Sequence, residues 1–331
     1  MAWVIGGVLV LVVALVLTGC RSLDKRELAG RLAALPGNGR LAAALDSVRV
    51  PVPWADDGID DGAEVELSHA RLVRPGAPRM VLVHGAPGTL YNWSAAIEGT
   101  TDAPGLAAAF DVTAVELAGH GLSDDGLEPL TFQRCADLLA AQLEALALGP
   151  VILVAQSYGG EVAWRLALDR PELVSRLVLC DSAGQPRADD EWLPEEVALR
   201  EWPGAGLGWV LNSRERLGRA LEPHFPGSAS PETFAQELFL TCENSRNWRV
   251  MRDLCQDENG ERADELSDLG VPTLLVWGAE DLAYPVERFA RRFEADIPGA
   301  ELVLLDGLGH YPPQQDPARF AALLAEHFAA D

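Results

Sequence analysis

The stretch Val151-Ile152-Leu153-Val154-Ala155-Gln156-Ser157-Tyr158-Gly159-Gly160-Glu161 decides the fold. Its first five residues are apolar without alternation, which is what a strand covered by helices on both faces requires. Residues 161–168 then read as a helix. Ser157 therefore stands at a strand-to-helix turn, with small residues, Ala155 and Gly159, two positions away on each side. In the usual form of this nucleophile elbow both flanks are glycine, because bulk there would meet neighbouring backbone. The turn also opens a helix, whose N-terminal dipole and unpaired N–H groups favour an anion.

Outward from the elbow the pattern repeats. Short apolar runs fall at residues 80–83, 112–115, 177–179, 274–276 and 302–305, after two strands expected at 48–52 and 64–73. Helical patterns lie between them. The clearest follows an N-cap at Thr131 and sets Phe132, Cys135, Leu138, Leu139, Leu143 and Leu146 on one stripe, ending before Gly149 and Pro150. Such alternation predicts an α/β fold with a doubly wound, mostly parallel sheet and a ligand site at the carboxyl ends of its strands. Residues 48–183 and 266–331 form the two parts of this core. Between them, residues 184–265 contain no buried-strand run and four tryptophans, Trp192, Trp202, Trp209 and Trp248. An insertion of that length is expected as a helical lid. Cys242 and Cys255 lie within it, and sequence alone leaves them paired or free.

Residues 2–20 carry no charge. They close with Leu17-Thr18-Gly19-Cys20, which resembles the lipobox of bacterial lipoprotein signal peptides, although Met1-Ala2-Trp3 lacks the usual basic residue. That resemblance implies a signal peptide over 1–19, a lipid-modified Cys20 and a body outside the cytoplasm. The alternative is an uncleaved transmembrane anchor, since the run is long enough to span a bilayer. Residues 20–47, polar and broken by Pro36-Gly37-Asn38-Gly39, are expected as a tether with short helical pieces.

Four further segments join the elbow in chain order: His84-Gly85-Ala86-Pro87-Gly88, Gly119-His120-Gly121-Leu122-Ser123, Gly278-Ala279-Glu280-Asp281, and Gly307-Leu308-Gly309-His310 with Asp316-Pro317 beyond. Across residues 48–331 the chain resembles the α/β-hydrolase family. The resemblance implies an α/β-hydrolase sheet and a Ser157, His310, Asp281 triad. It also implies an oxyanion hole from the backbone N–H groups of Ala86 and Tyr158, and a cis Ala86–Pro87 bond. Asp181, directly after the sixth strand, is the rival to Asp281, because some members carry the acid there. His84 and His120 resemble loop-bracing residues; His69 falls in an early strand, and His224 and His327 are expected at the surface.

The family's chemistries are many, so the site must choose among them. Serine at the elbow disfavours epoxide hydrolases and dehalogenases, whose members use aspartate. The expectation is a serine hydrolase cleaving a small ester through an acyl-enzyme. The His-Gly-Ala-Pro-Gly loop is similar to that of proline iminopeptidases, where lid carboxylates hold the substrate amine; here Glu195, Glu196, Glu201, Glu215 and Glu237 are available. A binding protein without catalysis is the third reading. Composition narrows the partners. The 331 residues carry 26 basic and 50 acidic side chains, a net charge of −24, which excludes nucleic acid and electrostatic docking on anionic lipid. There is no CxxC pair, HxxxH cluster or phosphate-binding glycine loop, so no cofactor and no metal is expected. A small-molecule substrate and a membrane anchored at Cys20 are the expected partners.

Overall fold

The computed structural model describes residues 23–54, 62–100, 102–124, 129–188, 192, 200, 213–227 and 231–328. An eight-stranded sheet runs through it: β1 (Leu45–Pro51), β2 (Glu64–Leu72), β3 (Arg79–Val83), β4 (Asp111–Val115), β5 (Val151–Gln156), β6 (Val174–Cys180), β7 (Thr273–Gly278) and β8 (Glu301–Leu305). The spatial order is β1-β2-β4-β3-β5-β6-β7-β8. Only β2 runs against its neighbours; the pairs from β4 to β8 are parallel. The chain order reverses around β3, with β4 on one side and β5 on the other, and a doubly wound sheet opens its ligand crevice at such a switch point.

Every residue of β4, β5 and β7 is buried, as their unbroken apolar runs demand. Alternate side chains serve opposite faces. Leu153 and Ala155 join Val81, Val83, Leu179 and Trp277 in one core, while Ile152 and Val154 join Met80, Leu82, Val178 and Val276 in the other. The helix expected after Thr131 spans Phe132–Ala145, and the Thr131 side chain accepts from Arg134 N at 3.2 Å. Its stripe packs on the first core. Leu146, past the helix end, is only partly buried.

The amino-terminal segment differs from expectation. Residues 23–44 are docked on the body as α1 (Lys25–Ala33) and α2 (Gly39–Ala43), and β1 starts at Leu45. Leu28 and Leu32 are fully buried beside Trp93 and Phe320, and Leu41 is buried with them. A polar composition hid one narrow apolar stripe at helical spacing. Leu23 is fastened as well: its N–H donates to Glu243 O, and Asn244 Nδ2 donates to its carbonyl.

Within 184–265 the described residues form three main helices, here called α3 (Arg214–Leu221), α4 (Glu232–Cys242) and α5 (Ser245–Asp257). Cys242 and Cys255 are both buried, and no disulfide joins them. Cys20, Trp202, Trp209, Glu195, Glu196 and Glu201 lie outside the described residues.

Candidate active site

At the end of β5, Ser157 has φ 53° and ψ −125°. A non-glycine residue there costs on the order of 1–3 kcal/mol and persists only where its surroundings over-determine it. They do so here: Ser157 N donates to Cys180 O, while Ser157 O accepts from Gly160 N and Ala183 N. A side chain at Gly159 would drive into the His84 carbonyl, and one at Gly85 would come within 2.8 Å of Ser157 Cβ. The loop after β3 is therefore pressed directly against the elbow. Its Ala86–Pro87 bond is cis.

Two more strand ends complete the group. His310, after β8, has Nε2 3.1 Å from Ser157 Oγ and Nδ1 3.0 Å from Asp281 Oδ2. With Nδ1–H donating to the carboxylate, Nε2 is left to accept the serine hydroxyl proton. Asp281, after β7, takes Ala283 N at 2.8 Å and Tyr284 N at 3.1 Å on its other oxygen. Burial alone would raise the Asp281 pKa, but His310 and these donors hold it below the usual range. Ser157, His310 and Asp281 are all buried. Asp181 lies beside Asp281 and makes no hydrogen bond to His310 in this arrangement; its oxygens accept from Gly278 N and Cys180 Sγ. Together Asp181, Asp281 and His310 bring ligand-type atoms within 4.8 Å of one another, yet every one of these atoms is already engaged in a hydrogen bond.

Tyr158 opens the helix directly after the serine, and Ala86, in the loop after β3, lines the niche at Ser157 with Gly85, Gly88, Asn92, Gln156, Phe234, Leu238 and Tyr311. That niche holds about 10 Å³, room for roughly one water. Next to it, sharing Asn92 and Phe234, opens a cavity of about 350 Å³ whose wall includes Asn38, Tyr91, Phe225 and Glu237.

The bracing histidines behave as loop supports. His84 Nε2 accepts from Leu117 N, His120 Nδ1 donates to Ala118 O, and burial pushes their pKa values down to about 3 and about 4. His224, expected at the surface, is instead buried, its ring 6.4 Å from that of His310. It follows α3 in a segment whose docking no local pattern announces. Several functional-looking residues had no motif to flag them. Gln156 Nε2 holds the His310 carbonyl at 3.0 Å, Gln315 Oε1 accepts from Gly309 N, and Gln314 bridges Gln156 to the Asn92 carbonyl. Their one sequence signal is proximity to Ser157 and His310.

Residues 80–323 match the family model described as the alpha/beta hydrolase family. The chain belongs to that family, and it is a hydrolase of the α/β type. It is 26% identical over 271 residues to an uncharacterized hydrolase, YugF, of Bacillus subtilis, covering 81% of this chain and 94% of that one. A pimeloyl-[acyl-carrier protein] methyl ester esterase of Neisseria meningitidis is 28% identical over 233 residues, 66% of this chain and 83% of the relative. Among solved structures, a thermophilic esterase from Thermogutta terrifontis superposes with a TM-score of 0.65 at 25% identity, over 85% of this chain and 97% of that chain. A membrane phospholipase A shares the fold at TM-score 0.69 and 23% identity, over 98% and 97% of the two chains.

Proposed function

We propose that this hydrolase is a serine esterase acting on a small neutral ester, with Ser157 as nucleophile, His310 as general base and then acid, and Asp281 as the carboxylate that orients it. The observation that carries the reading is the unbroken chain Ser157 Oγ–His310–Asp281, with links of 3.1 and 3.0 Å. Ser157 Oγ attacks the ester carbonyl carbon as its proton passes to His310 Nε2. The oxyanion is held by the N–H groups of Ala86 and Tyr158. His310 then returns the proton to the departing alcohol, and water releases the acyl group by the same steps in reverse.

Residues 184–265 act as the lid, because Phe234 and Leu238 of α4 stand over the serine. The adjoining cavity, with Phe225 and Phe234 in its wall, suits an apolar group of moderate size. An ester is favoured over a peptide with a free amine. Of the five lid carboxylates named above, the two among the described residues are ill placed for an amine: both oxygens of Glu237 already accept amide donors, from Asn38 and Asn92 at 2.9 Å each, and Glu215 lies on an exposed helix face. A fluorophosphonate probe should label Ser157, and Ser157→Ala should abolish labelling and turnover; undiminished turnover in that variant would sink the reading. In a panel, neutral p-nitrophenyl esters should be cleaved and Pro- or Ala-p-nitroanilide spared. Efficient cleavage of the anilides, lost on N-acetylation, would replace the esterase with an aminopeptidase.

We also propose that Cys20 carries the lipid of a bacterial lipoprotein and holds the enzyme on the outer face of a membrane. Support comes from the Leu17-Thr18-Gly19-Cys20 sequence and from the docking of Leu23 onto the end of α4, which leaves only two residues between the cysteine and the body. The mature protein should carry lipid mass on Cys20, and a Cys20→Ser precursor should resist maturation. Intact residues 1–19 on the membrane-bound protein would show a transmembrane anchor instead.

A further inference from the structure

Two carboxyl groups meet behind His310, and the proposed chemistry uses one of them. Asp181 at the end of β6 and Asp281 after β7 are both buried, and an oxygen of each lies within 4.8 Å of the other. Two bare carboxylates cannot share such a site, because their repulsion is unscreened by water. A proton on one of them removes the repulsion and can bridge the pair. The donors around each group decide which one holds it. Asp281 receives three: Ala283 N, Tyr284 N and His310 Nδ1. Asp181 receives Gly278 N at 2.9 Å and only a thiol, Cys180 Sγ, at 3.2 Å. Three good donors stabilise an anion better than one amide and a weak S–H.

We propose that Asp181 is a positioning residue of the triad, a neutral carboxylic acid that donates its proton to Asp281 and so fixes the carboxylate that orients His310. The inference rests on the Ser157–His310–Asp281 reading. The backbone supports it, since Asp181 sits at φ 45°, a left-handed conformation with a cost, which places this side chain against Asp281. Burial first, and then the charge of Asp281, push the Asp181 pKa well above the carboxylate range. The titratable groups facing Asp181 are Cys180 on its own strand, Asp281 from the loop after β7 and, next to Asp281, His310 from the loop after β8. Burial and the neighbouring acids likewise keep Cys180 a thiol.

The test compares Asp181→Asn and Asp181→Ala in the intact enzyme, using ester turnover against pH and infrared difference spectra near neutral pH. Asparagine is neutral and retains an N–H donor. Its kcat/KM should stay within about threefold of the parent, with the acidic limb of the profile unmoved. The difference spectrum should show loss of a protonated-carboxyl band. Alanine removes the donor and should lower kcat by roughly 10- to 100-fold with little change in KM. If Asp181 were instead ionised, the asparagine variant would remove a negative charge beside the imidazole. The acidic limb would then move down by about one pH unit and a carboxylate band would vanish. Either result overturns the proposal, as does an alanine variant with unchanged kcat and profile. Should alanine fail to fold, the isosteric asparagine variant decides. Retained turnover in Ser157→Ala would strike the triad reading alone, because the infrared bands report the Asp181 proton whatever the nucleophile.

Discussion

Ser157 and Gly159 show how little freedom the elbow leaves. The serine holds a strained backbone because three backbone hydrogen bonds clamp it, and Gly159 lets the His84 carbonyl pass where a Cβ would stand. Gly159→Ala must displace backbone rather than a flexible side chain. It is expected to cost several kcal/mol or to abolish probe labelling in whatever folds, on the order of the overpacking penalties seen in cores. A thermal melt combined with labelling stoichiometry checks this, and a variant with parental Tm and full labelling would contradict it. Asp281→Asn should lower kcat by about 10⁴, the loss known for removal of an orienting carboxylate in the best-studied triad. Steady-state turnover of a neutral ester measures it. A small loss there, beside a large one in Asp181→Asn, would exchange the roles of the two acids.

At the scale of elements, the amino-terminal segment is part of the body. Asn38, between α1 and α2, donates to Glu237 on α4 and accepts from Ser94 Oγ, while Asn92 donates to the other Glu237 oxygen. These bonds tie segments 199 and 145 residues apart in sequence. Beneath them Leu28 and Leu32 fill the second core. Leu32→Ala should destabilise the protein by about 2–5 kcal/mol, read as a lowered chemical-denaturation midpoint. A segment acting only as a tether would show no change. Of these elements, the buried strands and the helix after Thr131 were legible in the sequence, because period and capping are local properties. The docking of α1 was not legible, since two leucines four residues apart do not reveal which surface receives them.

For the whole molecule, buried titratable groups set a pH optimum of stability. Burial pushes Glu116 and Glu237 up to about 7. Folded chains keep protons on these acids that unfolded chains release, so their contribution is complete below about pH 4.5 and is lost as pH rises through about 7. The buried imidazoles of His84 and His120 act oppositely. Their contribution is present above about pH 6.5 and is lost as pH falls toward 4 and 3. Tm should therefore peak between about pH 4.5 and 6.5 and decline on both sides. Glu237→Gln should flatten the alkaline decline, by on the order of 2 kcal/mol. Melting curves across pH check both, and a Tm that rises steadily to pH 8 would refute the assignment.

The sequence by itself determined the kind of sheet, its strand positions, the elbow at Ser157 and the membership of the family, because apolar periodicity and turn chemistry are written within a few residues. It nominated two acids, Asp181 and Asp281, and favoured Asp281 because the whole Gly278-Ala279-Glu280-Asp281 loop resembles the family's. The contact itself belongs to tertiary structure. Both residues end neighbouring parallel strands, and only the pairing of β6 with β7 and of β7 with β8 sets which carboxylate reaches His310 and which lies behind it. The burial of His224 beside the imidazole, the amide clasp on Glu237 and the cavity next to Ser157 have the same origin. Each is a meeting of segments remote in the chain, and such meetings are fixed by how whole faces pack rather than by any local pattern.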